Sequence, residues 1–283
     1  MPDKNYLSIY AKSFNWAGFF LPKNTYQKCS KLYDFCRTID DIADKEGDLE
    51  IRKKKLSYFK NNFIDKNFDN SVIRNMWGLI DEYSISIKII TDLFNGIESD
   101  LKKRVQLNTK KDLLVYSYRV AGTVGLMMAK ILNVKSKASM KAAIDLGIAM
   151  QLTNIARDVV EDSKNNRFYI QHDFETITNT LNMANAFYES SFSAIKEIPF
   201  NFRFAILVAR RVYRKIGDKI LIKNNIAAYN ACGKIYVSNF GKILQTFLSI
   251  FDLLKLLLLK QKNDFIDEEH LLINEEIDLN ERI

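Results

Sequence analysis

The sequence predicts an all-α fold, and three observations support this prediction. Its 283 residues contain only 10 glycines and 3 prolines, the prolines at positions 2, 22 and 199. The long stretch between the second and third prolines suits packed helices better than a sheet rich in turns. Helical periodicity runs through nearly the whole chain, and hydrophobic residues make up 47% of it, enough for a sizeable core.

Start and stop signals define the N-terminal helices. A first helix covers about residues 6–20 and ends at Leu21-Pro22, because proline cannot continue a helix. A second starts near Asn24-Thr25, where such residues cap a helix well, and runs into an acidic segment at Asp40–Asp44. Residues 45–48, Lys-Glu-Gly-Asp, predict a turn. The acidic segment is therefore expected at a helix C-terminus.

Two glycines interrupt the most apolar predicted helix, which covers residues 112–132. Gly122 and Gly125 each cost about 1 kcal/mol relative to alanine in a helix interior. We therefore expect a kink there or a close approach of another helix. The remaining helices are predicted at residues 49–64, 71–83, 86–104, 137–163, 175–197, 200–222 and 226–259.

The chain shows no internal repeat and no linker, so we predict one domain over residues 1–260 and an acidic tail over residues 261–283. The tail has eight acids and two bases, a net charge of −6, so the overall charge of +8 leaves +14 on the rest. We expect the tail to be loosely ordered and assign it no function. The bases of the body are dispersed and explained mostly as solvated lysine-rich faces, so we predict no nucleic-acid partner.

Neither of the two most apolar segments is predicted to cross a membrane. Within residues 112–132, the apolar run lies between Arg119 and Lys130 and is too short for a span. Residues 243–259 are interrupted by polar side chains, which favours a core-packing helix or one lying on a membrane surface. Residues 1–10 lack an apolar core, so we expect no signal peptide.

The cysteines and histidines exclude zinc and disulfide frameworks. Cys29, Cys36 and Cys232, with His172 and His270, are too few and too scattered for either. The first two cysteines lie seven residues apart. This spacing predicts that they share one helix face, where a bridge is geometrically unfavourable. We therefore predict a reduced, cytoplasmic protein.

Two acidic segments carry the chemistry of this chain. Asp40–Asp44 and Asp158–Asp162 each place two aspartates four residues apart, a spacing that destabilises a bare helix by roughly 0.2–0.5 kcal/mol. Acids at helix ends also oppose the macrodipole, although each segment could simply mark the end of a helix. An arginine, Arg37 or Arg157, precedes each pair. Carboxylates are ligands of Mg²⁺, which usually takes one or two of them plus substrate phosphates, so we predict a Mg²⁺-diphosphate site.

Polar stripes extend both segments along their helices. Gln151, Asn154 and the two aspartates at positions 158 and 162 share one helix face, and Tyr33 and Arg37 share a face with the first cluster. Facing each other, the stripes would form a slot in which Mg²⁺ holds a diphosphate, with arginines and Lys12 on its remaining oxygens. An allylic diphosphate would then ionise to a carbocation that needs a dry, aromatic-lined cavity.

Four stretches of this chain resemble the squalene/phytoene synthase family, the head-to-head prenyl-diphosphate synthases, and the likeness covers roughly residues 7–245. They are residues 33–44 (YDFCRTIDDIAD), 118–128 (YRVAGTVGLMM), 151–162 (QLTNIARDVVED) and 167–170 (RFYI). The family implies an all-α, single-domain isoprenoid-synthase bundle with a central substrate tunnel. This chain differs at Tyr10, Gln171 and Lys234, none of which is an aspartate of the two motifs.

The resemblance also implies roles for individual residues. It places the cation, Mg²⁺ or Mn²⁺, on Asp40, Asp44, Asn154, Asp158 and Asp162. It implies catalytic roles for Tyr33, Arg37, Tyr118, Gln151 and Arg157. It implies that substrate is bound by Lys12, Ser13, Phe14, Arg37, Asn154, Arg157, Arg167 and Tyr169.

The sequence of residues 152–157 (LTNIAR) looks most like that of the bacterial phytoene-forming members. The activity that this implies is a prenyl transfer joining two geranylgeranyl diphosphates through a cyclopropylcarbinyl diphosphate to phytoene, the first step of carotenoid biosynthesis, without NADPH. A squalene, presqualene diphosphate or dehydrosqualene synthase using farnesyl diphosphate is the first alternative. A non-catalytic assembly factor is the second, disfavoured because all four aspartates are present. We expect peripheral contact with the inner face of a membrane, because the product is too apolar for water; the oligomeric state is left open.

Overall fold

The computed structural model describes residues 12–44, 47–258 and 267–283, with side chains described from residue 15 and, in the last range, from residue 268. These ranges are almost entirely helical, which confirms the predicted all-α class. The helices are α1 (Lys12–Gly18), α2 (Lys23–Asp44), α3 (Leu49–Ile64), α4 (Ser71–Tyr83), α5 (Ile87–Ser99), α6 (Lys110–Ser117), a π-helical turn (Tyr118–Gly122), α7 (Thr123–Ile131), α8 (Lys137–Lys164), α9 (Phe174–Ala194), a 3-10 turn (Ile195–Glu197), α10 (Phe200–Leu221), α11 (Ile226–Ala231), α12 (Asn239–Leu258), α13 (Asp267–Asn274) and α14 (Leu279–Arg282).

Side-chain caps fix where several of these helices begin. Asp48 accepts hydrogen bonds from the backbone N–H groups of the first turn of α3, and Asn70 does so for α4. Thr109 and Asp112 form a reciprocal capping box at the start of α6. Each cap satisfies donors that a helix N-terminus otherwise leaves without partners, so the register of each helix is set locally.

Helix α8 forms the centre of the bundle and packs against α7, α9, α10 and the π-helical turn. Its inner face is apolar, and Ile144, Ile148 and Leu152 are fully buried. The expected close approach is confirmed at Gly125, where a Cβ atom would lie 2.1 Å from the backbone oxygen of Ala143. The π-helical turn just before it is the expected irregularity, since π-bulges are a common cause of helix kinks.

We expect Gly125→Ala to destabilise the fold because its methyl group would overlap backbone that cannot move without separating two helices. Overpacking of this kind costs about 1–3 kcal/mol, and each kcal/mol lowers the melting temperature of a domain this large by about 2–4 °C. Gly78→Ala in α4 is the matched control, because nothing lies within 4 Å of its Cβ position and alanine is the better helix former. Thermal unfolding should show opposite shifts, and equal shifts would contradict the close contact.

Two predicted helix boundaries are wrong. The helix predicted over residues 226–259 is interrupted between α11 and α12, where Gly233 adopts a positive φ of 62° and Ile235 and Val237 are buried in an extended segment. The helix predicted over residues 86–104 stops at Ser99. After a short connection the chain forms a two-residue strand, β1 (Val105–Gln106), which pairs in parallel with β2 (Arg167–Phe168).

The loose order expected for the acidic tail is wrong for residues 267–283, which pack on the body as α13 and α14. Ile273, Ile277 and Leu279 are 2% exposed or less. The acids of this segment pair with bases of the body, for example Glu276 with Arg119 at 2.7 Å. The charge asymmetry of the sequence is therefore used in an intramolecular contact, and the division of the chain at residue 260 stays a prediction.

The remaining expectations concern thiols, membranes and the N-terminus. The thiols of Cys29, Cys36 and Cys232 are free. Across the described ranges, no helix combines the length and apolar character that crossing a membrane requires. The predicted helix start at residues 6–11 lies outside the described residues, as do two residues of the predicted turn at 45–48.

Candidate active site

A polar chamber of about 840 Å³ lies between α2 and α8 and is closed at its sides by α5, α6 and β2. All five residues predicted to hold a cation line this one chamber, so the structure brings the two acidic segments together. Six acids and six bases contribute to its wall, so the chamber carries mixed charge, and the arginines predicted to contact a diphosphate lie beside the acids. The predicted cation-site residues in its wall are Asp40, Asp44, Asn154, Asp158 and Asp162.

On α2, the side chains of the first acidic segment divide between two directions. Arg37 holds Asp40 at 3.0 Å and Asp41 at 2.6 Å, and Asp41 does not line the chamber. Arg167 of β2 reaches across to Asp44 at 2.6 Å. Burial and the neighbouring charge of Asp44 raise the pKa of Asp40 to about 7. The Asp40 carboxyl group therefore holds a proton near neutral pH, and a cation of higher charge would compete with that proton.

On α8, the second acidic segment shows the same arrangement. Arg157 donates from two nitrogens to the carboxylate of Asp158. Lys234 lies 3.6 Å from Asp158 and 2.7 Å from Glu161. Burial, followed by the charge of Asp158, raises the pKa of Asp162 to about 7. Each helix thus presents arginine-held carboxylates and one carboxyl group with a raised pKa, which is Asp40 on α2 and Asp162 on α8.

Tyr229 of α11 anchors the end of α8 that carries these acids. Its hydroxyl lies 2.9 Å from the backbone oxygens of both Ala156 and Arg157, and its side chain is buried. The hydroxyl donates to this pair of carbonyl oxygens and so ties α11 to α8 through a buried contact. The contact fixes the position of the acidic segment relative to the rest of the bundle.

Asn154 shows that the chamber wall offers an acceptor suited to a cation. Its Oδ1 atom is buried and accepts no hydrogen bond within the described part of the chain, while its Nδ2 lies 3.5 Å from Gln151 Oε1. A buried acceptor without a partner is costly, and a cation or a bound water would satisfy it. In the described ranges, no three His, Cys, Asp or Glu side chains converge as a ready-made metal cage. The buried Oδ1 of Asn154 and the aspartate oxygens in the same wall are hard oxygen donors, and such donors fit Mg²⁺.

Asp100, at the end of α5, is a site residue that the sequence reading missed. It is 7% exposed and accepts hydrogen bonds from the hydroxyls of Tyr116 at 2.7 Å and Tyr169 at 2.8 Å. The two tyrosine rings stack with centroids 4.7 Å apart. A usable signal was the spacing of Asp92 and Asp100, which places two acids eight residues apart on one face of an apolar helix.

An apolar chamber of about 310 Å³ adjoins the polar one. The two share part of their walls, including Tyr33, Gln151 and Asn154. From Asn154 the apolar chamber follows α8 back to Ser139, about 22 Å along the helix at the standard rise. A molecule with a charged head and a long apolar tail fits the two chambers together.

The aromatic lining expected for the apolar chamber is wrong. Its described wall consists mainly of small and aliphatic side chains, with Tyr33 and Tyr213 as the aromatic members. The phenylalanines of α2, α3 and α5 instead pack against one another in the core, for example Phe35 and Phe63 with tilted rings and centroids 5.3 Å apart. Small side chains leave the volume that an aromatic wall would have filled.

The structure places the other predicted site residues as follows. Tyr118 is fully buried, its hydroxyl donates to Asp92 at 3.2 Å, and it belongs to the described wall of neither chamber, so a catalytic role for it stays a prediction. The side chains of Lys12, Ser13 and Phe14 lie outside the described residues. The predicted catalytic and substrate-binding residues that do line the polar chamber are Tyr33, Arg37, Gln151, Asn154, Arg157, Arg167 and Tyr169.

An all-helical bundle around a charged chamber that opens into an apolar one defines an isoprenoid-synthase fold. The chain is similar to a solved dehydrosqualene synthase in complex with ligand, with a TM-score of 0.75 and 26% identity over 88% of this chain and 94% of that one. The fold alone is shared with a squalene synthase from Alicyclobacillus acidocaldarius, with a TM-score of 0.67, 17% identity, and 77% and 90% of the two chains covered.

Residues 8–174 match the family model described as squalene/phytoene synthase, and the chain belongs to this family. It is 28% identical over 247 residues to the 15-cis-phytoene synthase of Pantoea ananas, covering 76% of this chain and 80% of that protein. It is also 28% identical over 239 residues to the 15-cis-phytoene synthase of a Paracoccus species, covering 74% and 78% of the two. The predicted family is thereby confirmed.

Proposed function

We propose that this protein is a prenyltransferase that condenses two molecules of geranylgeranyl diphosphate head to head, through a cyclopropylcarbinyl diphosphate, to phytoene in carotenoid biosynthesis. The observation that carries the proposal is the shared wall of the two chambers, at which Gln151 and Asn154 border both the charged and the apolar space. A prenyl diphosphate placed there has its reacting carbon at the boundary. The relatives named 15-cis-phytoene synthase support the choice of substrate.

The charged chamber binds and activates the diphosphate. Arg37, Arg157 and Arg167 line it as donors, and guanidinium groups match phosphate oxygens in bidentate geometry. The aspartates of α2 and α8, with the Oδ1 atom of Asn154, would hold Mg²⁺ or Mn²⁺. When bound, the cation would neutralise charge on the diphosphate and make it a better leaving group. Arginines released from their carboxylates then become available to the departing oxygens.

The apolar chamber protects the carbocation left by that departure. Its wall carries few polar groups, so water that would quench the cation is excluded. Burial raises the pKa of Tyr33 to about 12, so its hydroxyl stays neutral at the boundary and does not act as a base. A neutral, partly buried phenol stabilises positive charge through its ring without reacting with it. The C2–C3 double bond of the second prenyl diphosphate then attacks the cation. Loss of a proton from C1 of that second molecule closes the cyclopropane ring, and the diphosphate released in the first step takes the proton.

We expect binding of Mg²⁺ to be linked to the protonation of Asp40 and Asp162. Their pKa of about 7, against an ordinary 3.8, means that the cation-free folded chain holds protons that the unfolded chain has lost. Cation-free stability therefore decreases as the pH rises from about 4 to about 7. A cation needs both carboxylates charged, so MgCl₂ should raise the melting temperature more at about one pH unit above 7 than at one unit below. A shift that does not change with pH would contradict this linkage.

The length of the apolar chamber offers a test of the substrate. Ala194 lines its far end, where the backbone oxygen of Ala194 lies 3.4 Å from Ser139 Oγ. We expect Ala194→Phe to shorten the chamber and shift the ratio of kcat/KM values from the C20 toward the C15 diphosphate by about 10-fold. Gly18 also lines the chamber, but its Cβ would lie 2.8 Å from the ring of Tyr26, so a bulky residue there would disturb packing. Ala227→Phe, on the exposed face of α11, is the control, and an equal effect of both variants would contradict the assignment.

One assay tests the function directly. Purified protein is incubated with MgCl₂ and either geranylgeranyl or farnesyl diphosphate, without NADPH, and the organic extract is analysed. We expect a C40 hydrocarbon from the C20 substrate. A C30 product or presqualene diphosphate, formed from the C15 substrate alone, would identify the farnesyl-using alternative, and the similarity to a dehydrosqualene synthase is the observation that favours it. Folded protein with no turnover of either would favour a non-catalytic family member. A cytoplasmic, membrane-peripheral location stays a prediction.

A further inference from the structure

Helix α12 (Asn239–Leu258) has its apolar side turned toward solvent. Phe247 is 62% exposed, Phe251 66% and Leu258 87%, and the other exposed residues of the helix are apolar except Asn239 and Lys255. A helix on the surface of a globular protein normally shows the opposite arrangement. The large exposed hydrophobic residues of α12 are Phe240, Ile243, Leu244, Phe247, Ile250, Phe251, Leu254, Leu257 and Leu258.

The inner side of α12 is polar and is held by specific contacts. Lys242, Gln245, Ser249 and Asp252 are buried in one stripe along the helix. Asp252 accepts two hydrogen bonds from Arg211 of α10, at 2.5 and 2.8 Å. These bonds fix which side of the helix faces the protein, because rotating the helix would leave buried polar groups without partners. The outward apolar face is therefore a stable feature of the fold.

Two further large apolar side chains are exposed on α10 and at the end of α1, and both of these helices contact α12. Phe19 at the end of α1 is 70% exposed and Phe200 at the start of α10 is 63% exposed. Arg203 lies over the ring of Phe200 at 5.6 Å. The charged residue on the exposed face of α12 itself is Lys255, and no acidic residue lies on that face. An apolar surface with basic groups at its edge complements an anionic membrane surface.

The same helix lies over the far end of the apolar chamber. Leu253, on the inner side of α12, packs in one cluster with Leu21 and Ile206. Both of these residues also line the chamber. The end of the chamber and the inner side of α12 therefore meet in one hydrophobic cluster.

We propose that the outward face of α12, with Phe19 and Phe200, is a docking surface for a lipid bilayer that contains anionic headgroups. The helix lies in the plane of the interface, its apolar side chains enter the lipid, and Lys255 and Arg203 meet the headgroups. Placed in this way, the chamber end lies next to the lipid, where an apolar product can leave without crossing water. This last step rests on the proposed function, whereas the docking does not.

Flotation of the full chain with lipid vesicles tests the docking without substrate. We expect the wild type to float with vesicles that contain phosphatidylglycerol and to float less with neutral phosphatidylcholine vesicles. The double variant Phe247→Glu/Phe251→Glu should lower the bound fraction at least about 10-fold. The matched control is Tyr58→Glu/Ile64→Glu on α3, where the two side chains are 72% and 60% exposed and the same charges are added. It should float like the wild type, and all three proteins should have similar melting temperatures.

Two results would overturn the docking proposal. One is a wild type that stays in the soluble fraction with both kinds of vesicle. The other is a wild type that is dimeric by light scattering and does not float, with a monomeric Phe247→Glu/Phe251→Glu variant, which would assign the face to a second copy of the chain. Turnover is measured in parallel with detergent-dispersed substrate. A protein that floats but has no turnover would support docking and count against the proposed function.

Discussion

Asp158→Asn is expected to reduce turnover by about 10²–10³-fold while the protein stays folded. The carboxylate of Asp158 lies in the wall of the charged chamber and is held by Arg157 and Lys234. The amide has the same shape but no charge, so it weakens both the cation site and the placement of the arginine that would contact the diphosphate. Kinetics with each prenyl diphosphate over a range of MgCl₂ concentrations measure the loss.

Glu161→Gln is the control for this variant because it changes an acid on the same helix to its amide. Glu161 is 58% exposed at its side chain and pairs with Lys234. Glu161 also borders the charged chamber, but it is not a predicted cation ligand, and its exposed pair with Lys234 contributes about 0–1 kcal/mol, so we expect turnover within about threefold of the wild type. If the two variants lost activity equally, or if Asp158→Asn kept full activity at low MgCl₂, the assignment of Asp158 to the cation site would be wrong.

The sequence predicted the two acidic helices well because their signals are local. Four-residue spacing fixes that Asp40 and Asp44 share a face of α2, and the same holds for the pair on α8. The facing of the two helices was inferred from their polar stripes, and the chamber that both helices line brings the stripes together. Asp100 was missed because its role depends on Tyr116 and Tyr169, which are distant in sequence and meet it only in the folded chain.

Helix α12 illustrates a different limit. Its sequence shows both an apolar and a polar stripe, and periodicity alone does not indicate which one faces the protein. Contacts with other helices determine which stripe faces the protein. Arg211 donates to Asp252, and the indole of Trp16 donates a 2.9 Å hydrogen bond to the hydroxyl of Thr246. A sequence reading that assumes apolar residues inside therefore assigns the wrong face.

Arg282→Met is expected to destabilise the fold by about 3–5 kcal/mol, although it lies one residue from the end of the sequence. The Arg282 guanidinium holds Asp92 at 2.7 and 3.3 Å, and Asp92 is only 5% exposed. Methionine retains the apolar stem but leaves a buried carboxylate whose remaining donor, among the residues that the structure describes, is the hydroxyl of Tyr118. Breaking one partner of a buried pair in this way costs more than the pair contributes, because the other charge stays buried.

Lys88→Met provides the matched comparison, since it removes an exposed pair with Glu281 whose side chains are 58% and 52% exposed. That loss should cost about 0–1 kcal/mol. Denaturant unfolding of Arg282→Met, Asp92→Asn and the double variant Asp92→Asn/Arg282→Met measures the coupling between Asp92 and Arg282, and Lys88→Met is unfolded in the same way. The double variant should recover part of the stability that Arg282→Met loses. Equal, small losses for Arg282→Met and Lys88→Met would mean that α14 adheres to the surface without supporting it. The expected large loss would instead show that α14 helps to position α5. Asp92 of α5 contacts Arg282, and Asp100, the residue that follows α5, lines the charged chamber.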